Sequence, residues 1–269
     1  MSLSFPTITR FEEIQLPPLA NGEWGVLALD ADQCLIEAQP TLADEHHYKF
    51  LVAQNAKAGT YAYGHYSWTT EIRKSVPYRS CESAEKVNAF MENAKAAGWF
   101  VVILTSRGLD MRDTTQKHFS QAELSISLDQ VIFKERDTDG NLLTKDLSLI
   151  NWMKGQDAFQ TAEKIRILFA DDSTSYCKEV QRVESAISHA SVACYHYVGS
   201  LPNSELDKAQ LSRLVHQLNV YQKGGGIPYE EPISSQTASA MTALEIKELT
   251  PQNVYQACKQ VASQQGKPF

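Results

Sequence analysis

Two carboxylates stand two positions apart at Asp30 and Asp32, directly behind the apolar run VLAL (26–29). A second acidic pair, Asp171-Asp172, follows RILFA (166–170), and Thr105-Ser106 follows VVIL (101–104). Lys145 lies between the last two, in NLLTKDLSLI (141–150), near an expected helix start. If the three apolar runs are parallel strands, their ends project from one sheet edge. Carboxylates crowded there repel one another, and a divalent cation is their natural partner. Mg²⁺ suits oxygen ligands and shares them with phosphate and water. The chemistry such a set can run is phosphoryl transfer through a carboxylate nucleophile, with a hydroxyl and an ammonium stabilising charge.

These residues need a rigid frame. Short runs at 25–29, 99–104, 130–133, 165–169 and 191–198 are apolar throughout rather than alternating, as parallel strands covered on both faces are. Helical periodicity lies between them. Val87, Phe90, Met91 and Ala94 share a face in 83–97, with Gly98 as a stop. Tyr176, Val180, Val183 and Ile187 do so in 175–188, and Leu211, Leu214, Val215 and Leu218 in 205–221. Alternation of this kind predicts an α/β fold, a doubly wound, mainly parallel sheet of Rossmann type, with ligands at the carboxyl ends of the strands.

The interval from Leu35 to Ser83 is longer than a connecting loop should be. It reads as a small lid insertion over 37–80, helical in 41–58 and aromatic-rich beyond. Tyr63, Tyr66, Trp68, Arg73 and Arg79 are candidates there for substrate contact, against the alternative of the insertion's own small core. The expected domains are a core of 1–36 with 81–222, the lid, and 223–269 as a linker (223–241) and a C-terminal helix (250–264) docked on the core. The adjacent His46 and His47 point to different helix faces and do not suit one ion.

Among 269 residues the net charge is -7, which disfavours non-specific nucleic-acid binding. No stretch is long and apolar enough to span a membrane. The opening MSLSFPTITRFEEI lacks the basic-then-apolar pattern of an export signal. A cytoplasmic location is therefore the default expectation, with a signal already removed left open. Five scattered cysteines without a CxxC pair argue against a disulfide framework or a structural zinc site.

DADQC (30–34), VVILTSRG (101–108), Lys145 and ILFADD (167–172), in this order, resemble the four motifs of the haloacid dehalogenase (HAD) superfamily of phosphohydrolases. The resemblance covers roughly 24–200. TITRFEEI, PTLADEHHYKFLV and LTSRGLDMRDTT further resemble a bacterial HAD-like family of unknown function. The resemblance implies Mg²⁺-dependent hydrolysis of a small phosphorylated substrate through an aspartyl-phosphate. It makes Asp30 the nucleophile and Asp32 the acid and base, with the Asp32 main-chain carbonyl on the metal. Thr105 would bind a phosphoryl oxygen and Lys145 would neutralise charge. Asp172 would ligate Mg²⁺ with Asp171 close behind. Ser106 and Arg107 would face the substrate. Cys34 departs from the pattern, standing where Thr or Val is usual. Lys134 and Lys164 compete with Lys145 for the third motif. The same scaffold also serves phosphotransferases, phosphomutases and non-catalytic binding proteins.

Overall fold

A computed structural model describes residues 4–39, 41–43, 45–57, 70–200, 206–225, 227 and 232–267. The strands are β1 (Thr7–Ile8), β2 (Glu23–Leu29), β3 (Ile36–Ala38), β4 (Tyr78–Ser80), β5 (Trp99–Gly108), β6 (Val131–Lys134), β7 (Lys164–Asp171) and β8 (Ala190–Tyr197). Six of them form one sheet in the order β1-β8-β7-β2-β5-β6, parallel at every pairing. β3 and β4 form a separate two-stranded sheet.

The five apolar runs of the sequence are β2, β5, β6, β7 and β8. Burial on both faces explains the composition of the central strand, where Val26, Leu27, Ala28 and Leu29 are all fully buried, whereas in β8 Ala193 is exposed between the buried Val192 and Cys194. Val26 and Ala28 pack in a core with Leu149, Met153, Cys177 and Val180, so this face is covered by the helices Lys145–Lys154 and Thr174–Gln181. Gly25 is required by crowding, since a Cβ there would lie 2.8 Å from the Leu19 and Trp99 side chains. Gly98 ends the helix Ala84–Ala96 at φ 87°, a conformation that favours glycine.

The chain forms two compact units, Met1–Glu37 with Arg79–Leu201, and Ala38–Tyr78 with Pro202–Phe269. This differs from the division expected above. The helix Lys208–Gln222 does not belong to the sheet unit. Its buried stripe of Leu211, Leu214, Val215 and Leu218 packs within the second unit, against the turn Thr41–Ala43 and the helices Ser234–Ala243 and Pro251–Gln264. The Gln217 side chain also accepts a 2.9 Å hydrogen bond from the Leu42 N–H. The described residues of 38–78 accordingly belong to a unit that also contains the helices Lys208–Gln222, Ser234–Ala243 and Pro251–Gln264, whereas Glu37, Arg79 and Ser80 belong to the sheet unit. The helix Ser234–Ala243 begins inside the expected linker and runs past its end, and the segment 175–188 is split into Thr174–Gln181 and Val183–Ala186. Among the described residues no helix is long and apolar enough to cross a membrane, and all five cysteines are free.

Candidate functional site

Strand register assembles the site. Leu29 is aligned with Ile103 of β5 on one side and with Ala170 of β7 on the other. Asp30 therefore stands level with Asp171, and Thr105 lies within β5 one position beyond that level. The Asp30 N–H donates to the Ala170 carbonyl at 2.9 Å, carrying the pairing one residue past β2.

Beyond Asp30 the chain turns sharply. The N–H groups of Leu35 and Ile36 both donate to the Ala31 carbonyl, at 3.0 and 2.9 Å, and Gln33 adopts φ 63°. This turn brings Cys34 back beside Asp30. One ligand atom each from Asp30, Cys34 and Asp172 lie within 4.8 Å of one another. Asp30 and Cys34 are buried, and Asp172 is half-buried. The two carboxylates thus lie close enough to share a cation, and Cys34, a residue the motif pattern does not use for this purpose, joins them.

Lys145 opens its helix at the N-terminal turn and is 1 % exposed. Its Nζ donates to Asp30 Oδ1, and to Asp171 Oδ2 at 2.7 Å. Its backbone N–H donates to Glu179 Oε2 at 3.0 Å, which fixes the start of the helix. The ammonium also lies 4.5 Å from the centre of the Tyr176 ring, a cation–π contact. Of the two competing lysines, Lys134 lies 5.9 Å from that ring, and Lys164 pairs with Glu23 at 3.5 Å. Asp171 is spoken for by Lys145 and by a 2.8 Å hydrogen bond from the Ser173 N–H, and Asp172 rather than Asp171 joins the Asp30 cluster.

Burial pushes the Asp30 carboxyl well above the usual range, helped by Asp171 and Asp172 and opposed by Lys145. Burial raises Asp171 as well, again against Lys145. Burial disfavours the charged lysine, but Asp171 and Asp30 outweigh it and the ammonium is held charged. Burial, with the charges of Asp30, Asp171 and Asp172, keeps the Cys34 thiol protonated far above its ordinary range. Two carboxylates therefore face one ammonium, with Asp172 beside Asp30, and a divalent cation would offset negative charge there.

The second-motif segment is shaped by an irregularity. The β5–β6 register shifts between Leu104 and Gly108, and such bulges re-aim side chains. Thr105 is buried and its Oγ1 accepts from the Arg107 N–H at 3.1 Å. The Ser106 hydroxyl lies beside the Tyr176 phenol. Arg107 does not hang free toward a ligand, as expected of a substrate contact. Its guanidinium grips Asp32 with two hydrogen bonds, Nε to Oδ2 at 2.8 Å and Nη2 to Oδ1 at 2.7 Å. Nη1 reaches Thr115 Oγ1 at 3.1 Å and His118 Nδ1 at 3.0 Å. The Asp32 carboxylate is thus turned toward Arg107 in this structure.

In the second unit, Arg73 Nε donates to the Ala43 carbonyl at 3.1 Å. Arg79, which lies in the sheet unit, pairs with Glu37 at 2.6 Å. Both arginines hold backbone or carboxylate partners of their own unit. Tyr63, Tyr66 and Trp68 lie outside the described residues. His47 is buried, with Nδ1 on the Leu42 carbonyl at 2.6 Å and Nε2 at 3.8 Å from Cys258 Sγ.

Comparison of the chain with protein-family models, curated proteins and solved structures finds no match.

Proposed function

We propose that this chain is a divalent-cation-dependent phosphomonoester hydrolase, with Mg²⁺ the expected cation and Asp30 the nucleophile. The observation that carries the reading is the convergence on Asp30 of Lys145, Asp171 and Asp172 at the carboxyl edge of a parallel sheet. Ligands of open α/β sheets bind at that edge. The donor set fits a hard cation, since Asp30 and Asp172 supply oxygen ligands. Bound there, the cation would offset the charge of the phosphoryl group and of the carboxylates.

This chain's own residues divide the remaining work. An Asp30 oxygen attacks phosphorus, and the bond from phosphorus to the leaving oxygen breaks. Lys145 fixes the Asp30 carboxylate and keeps one of its oxygens engaged, which leaves the other to react. Asp32, released from Arg107 and protonated from solvent, gives that proton to the leaving oxygen. It then takes a proton from the water that attacks phosphorus, releasing phosphate and restoring Asp30. Thr105 holds a phosphoryl oxygen. For these steps Asp32 must exchange its Arg107 partner for the substrate, so the Arg107 grip is the resting arrangement. Phosphotransfer to an alcohol instead of water uses the same first half-reaction.

The test is turnover of a generic aryl phosphate with Mg²⁺ and with a chelator, for the native chain and Asp30→Asn. Metal-dependent phosphate release that Asp30→Asn abolishes supports the proposal. Absence of turnover across aryl, alkyl and acyl phosphates contradicts it and favours a binding role.

A further inference from the structure

Among the described residues Cys34 differs from Cys177 and Cys194, whose thiols donate to backbone carbonyls. Cys177 Sγ donates to the Tyr195 carbonyl at 3.6 Å, and Cys194 Sγ donates to the Cys177 carbonyl at 3.4 Å. The fully buried Cys34 Sγ makes no hydrogen bond among the described residues, and it faces the Asp30 and Asp172 carboxylates. A buried thiol acting only as filler would sit among apolar groups. Here the turn closed on the Ala31 carbonyl places it against two oxygen ligands instead.

We propose that Cys34 Sγ, with Asp30 and Asp172, forms a mixed sulfur–oxygen site for a thiophilic divalent cation, Zn²⁺ being the class that fits best. The proposal rests on the cation site named above but not on the phosphatase chemistry. The three ligand atoms lie within 4.8 Å of one another. Zinc bonds of about 2.3 Å to sulfur and about 2.0–2.2 Å to oxygen ask tetrahedral ligands to stand roughly 3.5 Å apart. Small side-chain rotations close that gap. Oxygen-only ligands suit Mg²⁺, whereas a thiolate favours Zn²⁺ and the softer transition ions. Coordination takes the proton from the thiol, and the proton passes to solvent. A Thr or Val in this position would offer no such ligand. The site is therefore expected to hold Zn²⁺ far more tightly than Mg²⁺.

Co²⁺ is the spectroscopic probe. The metal-free full chain is titrated with Co²⁺, and the near-ultraviolet thiolate-to-cobalt charge-transfer band is read, with no dependence on activity. The band should appear in the native chain and vanish in both Cys34→Ser and Cys34→Ala. Asp172→Asn should weaken it. Zn²⁺ should displace cobalt, and loss of Cys34 should weaken Zn²⁺ by at least about 10–100-fold, the range that even outer ligand partners control. Cobalt bound without a charge-transfer band overturns the Cys34 assignment while leaving an oxygen-only cation site standing. A band that survives in either Cys34 variant, or unchanged in Asp172→Asn, also overturns it. No cobalt binding at all overturns both this proposal and the cation site of the proposed function.

Discussion

Arg107 and Asp32 are joined through two parallel hydrogen bonds of 2.8 and 2.7 Å, although they lie far apart in sequence. Paired bonds of this kind are the strongest form of carboxylate recognition by arginine. Their consequence is that the side chain proposed as acid and base is oriented by a buried guanidinium in this structure.

Asp32→Asn separates the two roles of the acidic loop. General acid–base groups contribute about 10²–10⁴-fold, so turnover of an alkyl phosphate should fall by that order. An activated aryl phosphate needs little protonation of its leaving group and should lose less. It should show a burst of product followed by slow hydrolysis of the intermediate. Pre-steady-state kinetics on both substrates checks this. Equal losses and no burst would assign Asp32 a structural role.

Arg107→Gln leaves a half-buried carboxylate and the Thr115 and His118 side chains without their shared donor. A loss of about 1–3 kcal/mol is expected in urea unfolding, the usual cost of unsatisfied buried polar groups. With Asp32 no longer gripped, the ratio of alkyl to aryl phosphate turnover should shift. An unchanged ratio with reduced stability would make Arg107 purely structural.

Lys145→Met removes the ammonium from between Asp30 and Asp171. Breaking a buried ion pair costs about 3–5 kcal/mol, so the metal-free variant should be much less stable at neutral pH. Both carboxyls already titrate above their unfolded range. A raised folded value means the folded state holds protons that the unfolded chain releases. Stability is therefore lost as pH rises through the folded values and regained as pH falls. The deficit against the native chain should shrink as pH falls and grow as pH rises. Urea unfolding at a series of pH values measures it. A deficit independent of pH would contradict the proximity of the two carboxylates.

Asp146, next to Lys145, accepts two 2.9 Å hydrogen bonds from Arg182. Burial would raise its carboxyl, but the Arg182 and Thr144 hydrogen bonds outweigh burial and hold it below the usual range. This contribution is present above the unfolded carboxylate range and disappears as pH falls through the folded value. Arg182 is more than half exposed, so solvent screening limits Arg182→Ala to a loss of under about 1 kcal/mol at pH 7. That difference should vanish in acid unfolding measurements near pH 2. Its persistence there would trace the loss to packing of the arginine stem.

The sequence showed the frame and three corners of the site for one physical reason. Strands of a parallel sheet buried on both faces are apolar throughout, so β2, β5, β6 and β7 stood out, and the polar residues near their carboxyl ends stood out with them, while β8 stood out by composition although one of its faces is only partly covered. Lys145 was legible as a helix start. β1 was not, because two residues carry no pattern. The helix Arg112–Gln121 was hidden because only Thr115, His118 and Phe119 of its residues are buried. Ser234–Ala243 was hidden by its small and polar composition, which reads as a linker. Arg107, which grips Asp32, lies where the register of β5 with β6 shifts, and Cys34 approaches Asp30 through the turn after it. Neither leaves a trace in residue spacing. The membership of Lys208–Gln222 was missed because periodicity reveals a buried face without saying what covers it.

The central claim is that Asp30 takes the phosphoryl group, and chemical trapping tests it most directly. The chain is mixed with an aryl phosphate and Mg²⁺, quenched during turnover, reduced with borohydride and sequenced by tandem mass spectrometry. An acyl phosphate is reduced to an alcohol, so the account predicts homoserine at position 30, present only with substrate and absent when Mg²⁺ is chelated. Steady phosphate release with Asp30 recovered unmodified, or the reduced residue found elsewhere, would contradict it.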